Sequence, residues 1–433
     1  MKRKKARSLC ALVVGIALLL SGISSALGAS AAPPHPYRIV ALGDSLTYGY
    51  EPGQTEKSVP YGYADRLYEQ ALFHGRAKLD NYGILGLRTE GLSKLLQGAA
   101  DGIPLTSADL QDFSMVEDAR VTKQADSVAA RTVELKASLS EADLVVMTIG
   151  GNDFGDFLKK VLQLSNEDAL NALEDELSAI MNKYTENVEK AIRQTSSLAP
   201  HARILLTDQY LPLPKLFKRE LYDALFEKAV NPLTSAVDGL AAKLRGEGIQ
   251  VESVHIAEAF KGQEGLMTYM NLGITGGNSK PDIHPRQPGY EAIAKAFSAA
   301  VWKEYRQPAP RKTDVPVSLV IGGKELISAN KPAMKNNITY AALGDLLKAV
   351  GTKYQWTAKT KTAVFQKGSY KVSVTVGVKS ATVNGKKVTL SAAPYLQKVG
   401  KEQQVYVPVE LMAKALQYNI VYRSTIQTVF INP

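Results

Sequence analysis

Between Tyr37 and Tyr305, short apolar runs alternate with amphipathic stretches, the pattern of a parallel sheet covered by helices on both faces. That alternation restricts the region to α/β architectures. The strand candidates are Ile39 to Leu42, Lys78 to Tyr82, Leu144 to Ile149, Ile204 to Asp208 and Gln250 to Val254, with helices expected between them. The clearest helix has Ser165 as N-cap and Asp168 at its third position. Its apolar stripe, Leu170, Leu173, Leu177, Ile180, Met181, Tyr184, Val188 and Ile192, has the spacing of a helix packed on a sheet.

Within this frame, Val40 to Gly49 reads as a buried strand breaking into a tight turn, with Gly43 giving the backbone its freedom there. Ligands of open α/β sheets gather at the carboxyl ends of strands, so Ser45 is a candidate nucleophile. Taken alone, Gly43-Asp44-Ser45 is better read as an ordinary turn. Three later motifs change that balance. Asn81-Tyr82-Gly83-Ile84-Leu85-Gly86 and Gly150-Gly151-Asn152-Asp153 each follow a strand candidate, and Pro281-Asp282-Ile283-His284-Pro285 leads into a helix. Together they hold what acyl transfer needs. A serine requires a base, for which His284 is the candidate. A tetrahedral oxyanion requires donors fixed in advance, and these can be the backbone N–H groups of Ser45 and Gly86 and the side-chain amide of Asn152. Among the other histidines, only His255, just past a strand, is a serious rival; His35, His74 and His201 lie in a Pro-rich leader, a helical pattern and a pre-strand turn.

These residues resemble the GDSL, or SGNH, hydrolase family, named for its serine, glycine, asparagine and histidine blocks. The resemblance covers about Tyr37 to Tyr305 and rests on Gly43-Asp44-Ser45-Leu46, Gly86, Gly150-Gly151-Asn152-Asp153 and His284 in that order. It implies a flavodoxin-like three-layer α/β/α sandwich and carboxylic ester hydrolysis, as by an esterase or lipase, through an acyl-serine intermediate. It also implies an oxyanion hole of Ser45, Gly86 and Asn152. The family usually places its triad aspartate three residues before the histidine, and here that position is Pro281. The nearest carboxylate is Asp282, two residues before His284. We assign Asp282 to orient the imidazole, the alternatives being a backbone carbonyl or a water. This departure is the one feature favouring a different reading, a catalytically impaired carbohydrate- or cell-wall-binding protein on the same fold. No cofactor and no metal site are expected.

Residues ahead of the sheet read as a secretory signal peptide: Lys2, Arg3, Lys4, Lys5 and Arg7, an apolar run from Leu9 to Leu20, then small residues through Ala31. The run is short for a membrane span, so the expected mature protein is bacterial, secreted and without a transmembrane segment. The one cysteine, Cys10, lies in this segment, which leaves the rest of the chain without thiol chemistry. From Thr313 onward sixteen Lys plus Arg stand against five Asp plus Glu, a balance of +11, whereas Ala29 to Lys312 carries about −6. A mildly acidic catalytic part gives no support to nucleic-acid binding, and the expected secretion argues against it as well.

The expected organisation is a signal peptide over 1–31, a catalytic domain over 32–306, a stiff Pro-rich linker over 307–316 and a small α+β duplicated module over 317–433. The duplication matches Ile338 to Ala341 and Leu346 to Val350 with Val405 to Pro408 and Leu411 to Leu416, at an offset of about 66 residues, as from Tyr340 to Tyr406. Asn384-Gly385 marks a hairpin between the copies. This unit is similar to the copper amine oxidase N-terminal-like, or stalk, domain, and with no histidine it offers no copper ligand set. Its lysines suit either a solvated spacer or contact with an anionic cell-wall polymer. The apolar content of the loops Ile103 to Val116 and Tyr210 to Phe217 suits a lipid or aryl ester but equally a packed surface, and the expected partner is a small-molecule or lipid/carbohydrate ester.

Overall fold

The computed structural model describes residues 34–114, 119–215, 218–270 and 281–433. The signal peptide expected over 1–31, and the ends of the two apolar loops at 115–116 and 216–217, lie outside the described residues.

Five strands, β1 (Tyr37–Gly43), β2 (Ala77–Gly83), β3 (Leu144–Thr148), β4 (Arg203–Thr207) and β5 (Val251–Val254), form a parallel sheet in the order β2-β1-β3-β4-β5. This is the flavodoxin-like order, with helices on both faces. The central strands are apolar on both sides because both are covered: Val40, Leu42, Val145 and Met147 enter one core, and Ile39, Ala41, Leu144 and Val146 the other. Polar residues such as Asp80 on β2 and Glu252 on β5 fall on the two edge strands. Register aligns Gly43 with Gly83 and with Thr148. The three turns carrying Ser45, Gly86 and Asn152 therefore leave the sheet at one edge.

The helices that matter here are α1 (Ser45–Tyr48), α2 (Tyr63–His74), α3 (Thr89–Asp101), α4 (Gly151–Gln163), α5 (Asn166–Leu198), α6 (Arg219–Leu225), α7 (Asn231–Gly246) and α8 (Gln287–Trp302). Helices α2 and α8 cover one face, where Tyr63 stacks on Phe297 at 5.0 Å. Helices α3, α5 and α7 cover the other. Ser165 caps α5 by accepting from the Asp168 N–H, 3.1 Å away. At 33 residues this helix is about 50 Å long, much more than the strands span. Its stripe is accordingly divided: Tyr184, Val188 and Ile192 pack on the sheet, while Leu173 and Leu177 join a second core with Phe157, Val161, Leu221 and Leu225 and with Leu211 and Leu213 of the loop after β4.

The chain divides into compact units elsewhere than at 317: residues 34–339 with 418–433 form one, and 340–417 the other. In the first unit, β6 (Ser318–Ile321), β7 (Lys324–Glu325), β8 (Asn419–Arg423) and β9 (Thr428–Asn432) make a small sheet in the order β8-β9-β6-β7. It completes the α2/α8 face. Val320 and Phe430 are fully buried with Leu67, Leu72 and Phe297, and Phe430 meets Phe73 edge-on at 5.1 Å. Asn432 donates to the Leu72 and Gly75 carbonyls, supplying partners for the end of α2. Arg423 reaches Asp65 at 3.0 Å and Glu69 at 3.1 Å. The Pro-rich segment, expected to be a stiff linker, is held as well, with the Ala309 N–H donating to Glu325 and Arg311 to the Ile426 carbonyl.

In the second unit, Tyr354–Thr357, Thr362–Lys367, Tyr370–Thr375, Ser380–Val383 and Lys386–Thr389 form an antiparallel sheet in chain order. Asn384 and Gly385 turn its last hairpin at φ 50° and 81°. The duplication has a physical counterpart here: Tyr340, Ala341 and Ala342 pair antiparallel with Pro408, Val407 and Tyr406. With Tyr340 matched to Tyr406, Ala341 faces its own counterpart Val407, so a local two-fold relates these two strands. Among the described residues, no helix is long and apolar enough to cross a membrane.

Candidate active site

Gly43 ends β1 at φ 136°, where a β-carbon would stand 1.9 Å from the Thr148 carbonyl oxygen, so glycine alone permits the turn. Asp44 then caps α1, accepting from the Leu46 N–H at 3.0 Å and from the Thr148 hydroxyl at 3.3 Å. Behind it Thr47 bonds Thr148 and Tyr63, and Asn81 donates to the Thr47 carbonyl. This buried network fixes Ser45 at the first position of α1, only 7% exposed.

His284 arrives from the far end of the sequence. Its loop is tied to 267–269 by the Tyr269 N–H to His284 carbonyl, the Asp282 N–H to Tyr269 carbonyl and the Arg286 N–H to Met267 carbonyl bonds. His284 Nε2 lies 2.7 Å from Ser45 Oγ, and Nδ1 lies 2.5 Å from Asp282 Oδ1, which also accepts from the His284 N–H. The two-residue spacing thus folds the carboxylate back onto its own histidine. Burial pushes the Asp282 carboxyl up, but the hydrogen bond and charge of His284 outweigh it and hold the group below its ordinary range. Tyr50 meets the imidazole edge-on at 4.6 Å, and Tyr210 donates to the Ile283 carbonyl between the two residues. Tyr210 opens a loop expected to wall the substrate site, whereas Tyr50 belongs to no sequence block and only its position just after β1 could have drawn notice.

The rival His255 is held elsewhere, 3.4 Å from Asp208 and 3.5 Å from Asp238. Asn152 opens α4 and donates to the Leu87 carbonyl at 2.9 Å, which leaves its second amide hydrogen for another acceptor. Asp153 fixes α4 to α3, accepting from the Thr89 N–H and hydroxyl. Among the described residues, the N–H groups of Ser45 and Gly86 donate to no protein group. Ser45, Gly86, Asn152 and His284 line one cavity of about 430 Å³, within the range of small-molecule sites.

Burial also raises the Asp44 carboxyl, to about 7, against the hydrogen bonds from Leu46 and Thr148. Because the native pKa is raised from 3.8, this group's share of stability is fully present below pH 4 and lost as pH rises through about 7. The loss approaches about 4 kcal/mol at most. Asp44→Asn keeps an acceptor for the Leu46 N–H without the charge, so urea unfolding from pH 4 to 8 is expected to fall less steeply than in the natural chain. Equal slopes would mean Asp44 stays ionised throughout.

Residues 39–297 match the family model described as GDSL-like Lipase/Acylhydrolase, and residues 320–431 match that of the copper amine oxidase N-terminal domain. The chain belongs to the GDSL-like lipase/acylhydrolase family. It is 24% identical over 270 residues to the uncharacterized protein YpmR of Bacillus subtilis (strain 168), covering 61% of this chain and 82% of that one. Similar solved structures include the lipase Lip_vut3 from a goat rumen metagenome, at 16% identity, TM-score 0.38, and coverage of 61% of this chain and 98% of that one. Another is an extracellular lipase of Streptomyces rimosus, at 17% identity, TM-score 0.38, and coverage of 60% and 99%.

Proposed function

We propose that the chain is a serine esterase or lipase that cleaves carboxylic esters through an acyl-serine intermediate. The observation that carries this reading is the relay from Asp282 through both imidazole nitrogens to Ser45 Oγ, at 2.5 and 2.7 Å. With Nδ1–H donating to Asp282, Nε2 accepts the Ser45 proton as Oγ attacks the ester carbonyl. The oxyanion that forms meets the N–H groups of Ser45 and Gly86 and the Asn152 amide. His284 then protonates the leaving alcohol and activates a water to release the acid. A two-residue aspartate spacing favoured an inactive binding protein only so long as no carboxylate reached the imidazole.

The reading extends to secretion and to adhesion on an anionic wall polymer. Between residues 340 and 417 twelve lysines stand against three carboxylates, so many weak, salt-screened contacts can add without a shaped pocket. Purified full-length protein is expected to hydrolyse p-nitrophenyl acetate and to take up a fluorophosphonate on Ser45 alone. It should sediment with purified cell walls at low salt and release by physiological salt. No turnover and no label would sink the esterase reading; salt-independent sedimentation would sink the electrostatic one.

A further inference from the structure

We infer that Glu51 is a positioning residue for His284, its carboxylate bracing the loop that aims the imidazole at Ser45; this rests on the esterase reading above. Among the described residues, only Asp282 and Ser45 hydrogen-bond the His284 ring. Its aim therefore depends on the backbone beneath it and on Tyr50, whose ring meets it edge-on at 4.6 Å. That backbone hangs on Tyr269, whose N–H donates to the His284 carbonyl at 3.0 Å and whose carbonyl accepts from the Asp282 N–H at 3.1 Å. Both members of the His284–Asp282 pair thus follow wherever residue 269 goes.

Glu51 holds that residue from a segment 218 positions earlier in the sequence. Its Oε1 accepts from the Tyr269 hydroxyl at 2.9 Å, and its Oε2 accepts from Gln287 Nε2 at 2.6 Å. Gln287 opens α8 shortly after His284, so the loop is gripped on both sides of the histidine. The Gln287 amide can face only this way. Arg66, which only donates, bonds its Oε1 at 2.7 Å and leaves Nε2 for the carboxylate, which only accepts. Glu51 also follows Tyr50 directly, and the Tyr50 carbonyl accepts from the Tyr290 hydroxyl of α8 at 2.6 Å. One side chain thereby ties the turn after α1 to both arms of the histidine loop. Glu51 is half-buried and lies outside every helix, every strand and both cores that cover the sheet, so its loss is expected to spare the fold.

The test compares Glu51→Ala with Glu51→Gln in the full chain. Glu51→Ala is expected to lower kcat on p-nitrophenyl acetate roughly ten- to hundredfold, the cost of a small misplacement, while KM stays within about twofold. Glu51→Gln keeps both bonds, because its amide oxygen accepts from Gln287 and the Tyr269 hydroxyl can accept from its amide nitrogen, and kcat should return to within roughly threefold of the natural chain. Tyr269→Phe removes one bond alone and should cost less than Glu51→Ala. In the His284→Ala background, Glu51→Ala should add little, since a group that acts through the imidazole has nothing left to aim. The far-downfield proton resonance of the His284 Nδ1–H bonded to Asp282 gives a reading without turnover; it should broaden or vanish in Glu51→Ala and persist in Glu51→Gln. An unchanged kcat or resonance in Glu51→Ala, a loss confined to KM, a full extra loss in the His284→Ala background, or Glu51→Gln as slow as Glu51→Ala overturns the brace and leaves the esterase standing. A natural chain that hydrolyses no ester, yet whose resonance depends on Glu51, supports the brace and overturns the esterase.

Discussion

Ser45→Ala is expected to lower kcat for ester hydrolysis roughly ten-thousand- to million-fold, with thermal unfolding unchanged. The hydroxyl is a short side chain whose Oγ bonds His284 rather than the scaffold. The turn is held instead by Gly43, Asp44 and Thr47. His284→Ala should cost about as much, and the double variant little more, because nucleophile and base act as one unit. Asp282→Asn should also be severe, since an amide that donates to Nδ1 leaves Nε2 protonated and unable to accept from Ser45. Asn152→Ala removes one oxyanion donor and is expected to cost about 3 kcal/mol, seen in kcat. Near-native turnover of His284→Ala, together with loss in His255→Ala, would show that the base is misassigned.

The second large effect is on stability. A chain ending at Gln307, which the sequence reading treats as a whole catalytic domain with its leader, is expected to be unfolded or inactive rather than a working esterase. That truncation strips β6 to β9 from α2 and α8 and bares Phe73, Leu72 and Phe297. A single substitution reports the same coupling. Phe430→Ala empties a fully buried site and should cost about 3 to 5 kcal/mol, a large part of the total stability of an ordinary domain. Arg423→Ala should cost about 3 kcal/mol, because Glu69, 4% exposed, loses the cation facing it. Burial already raises the Glu69 carboxyl despite that cation. A truncated chain with unchanged melting temperature and turnover would refute the coupling.

The sheet was legible because its strands are apolar over their whole length, and each of the five observed strands overlaps its expected range. The same holds for the turn motifs, since parallel register brings successive strand ends to one edge and so assembles residues far apart in sequence. The Asp282 contact was legible only as one of several options, because a two-residue spacing works or fails by the local backbone path. The second core was not legible. Leu173 and Leu177 continue a stripe that further along faces the sheet, and periodicity cannot say where a long helix leaves one core for another. Where the C-terminal strands pack was not legible for a similar reason. They are the last part of a recognisable repeat, and repetition says nothing of which neighbour each strand chooses. The first copy of that repeat keeps its two later strands, at 354–357 and 362–367, within its own unit, while the second copy yields Asn419–Arg423 and Thr428–Asn432 to the catalytic one.

That exchange sets an order of events during biosynthesis. A ribosome makes the α2 and α8 surface first, then nearly eighty residues of the inserted unit, and only then the strand that seals the surface. Domains at the amino end ordinarily finish folding while the rest is still being made. This one must wait for Asn419–Arg423 and Thr428–Asn432, so the surface of α2 and α8 stays open until those strands have been made.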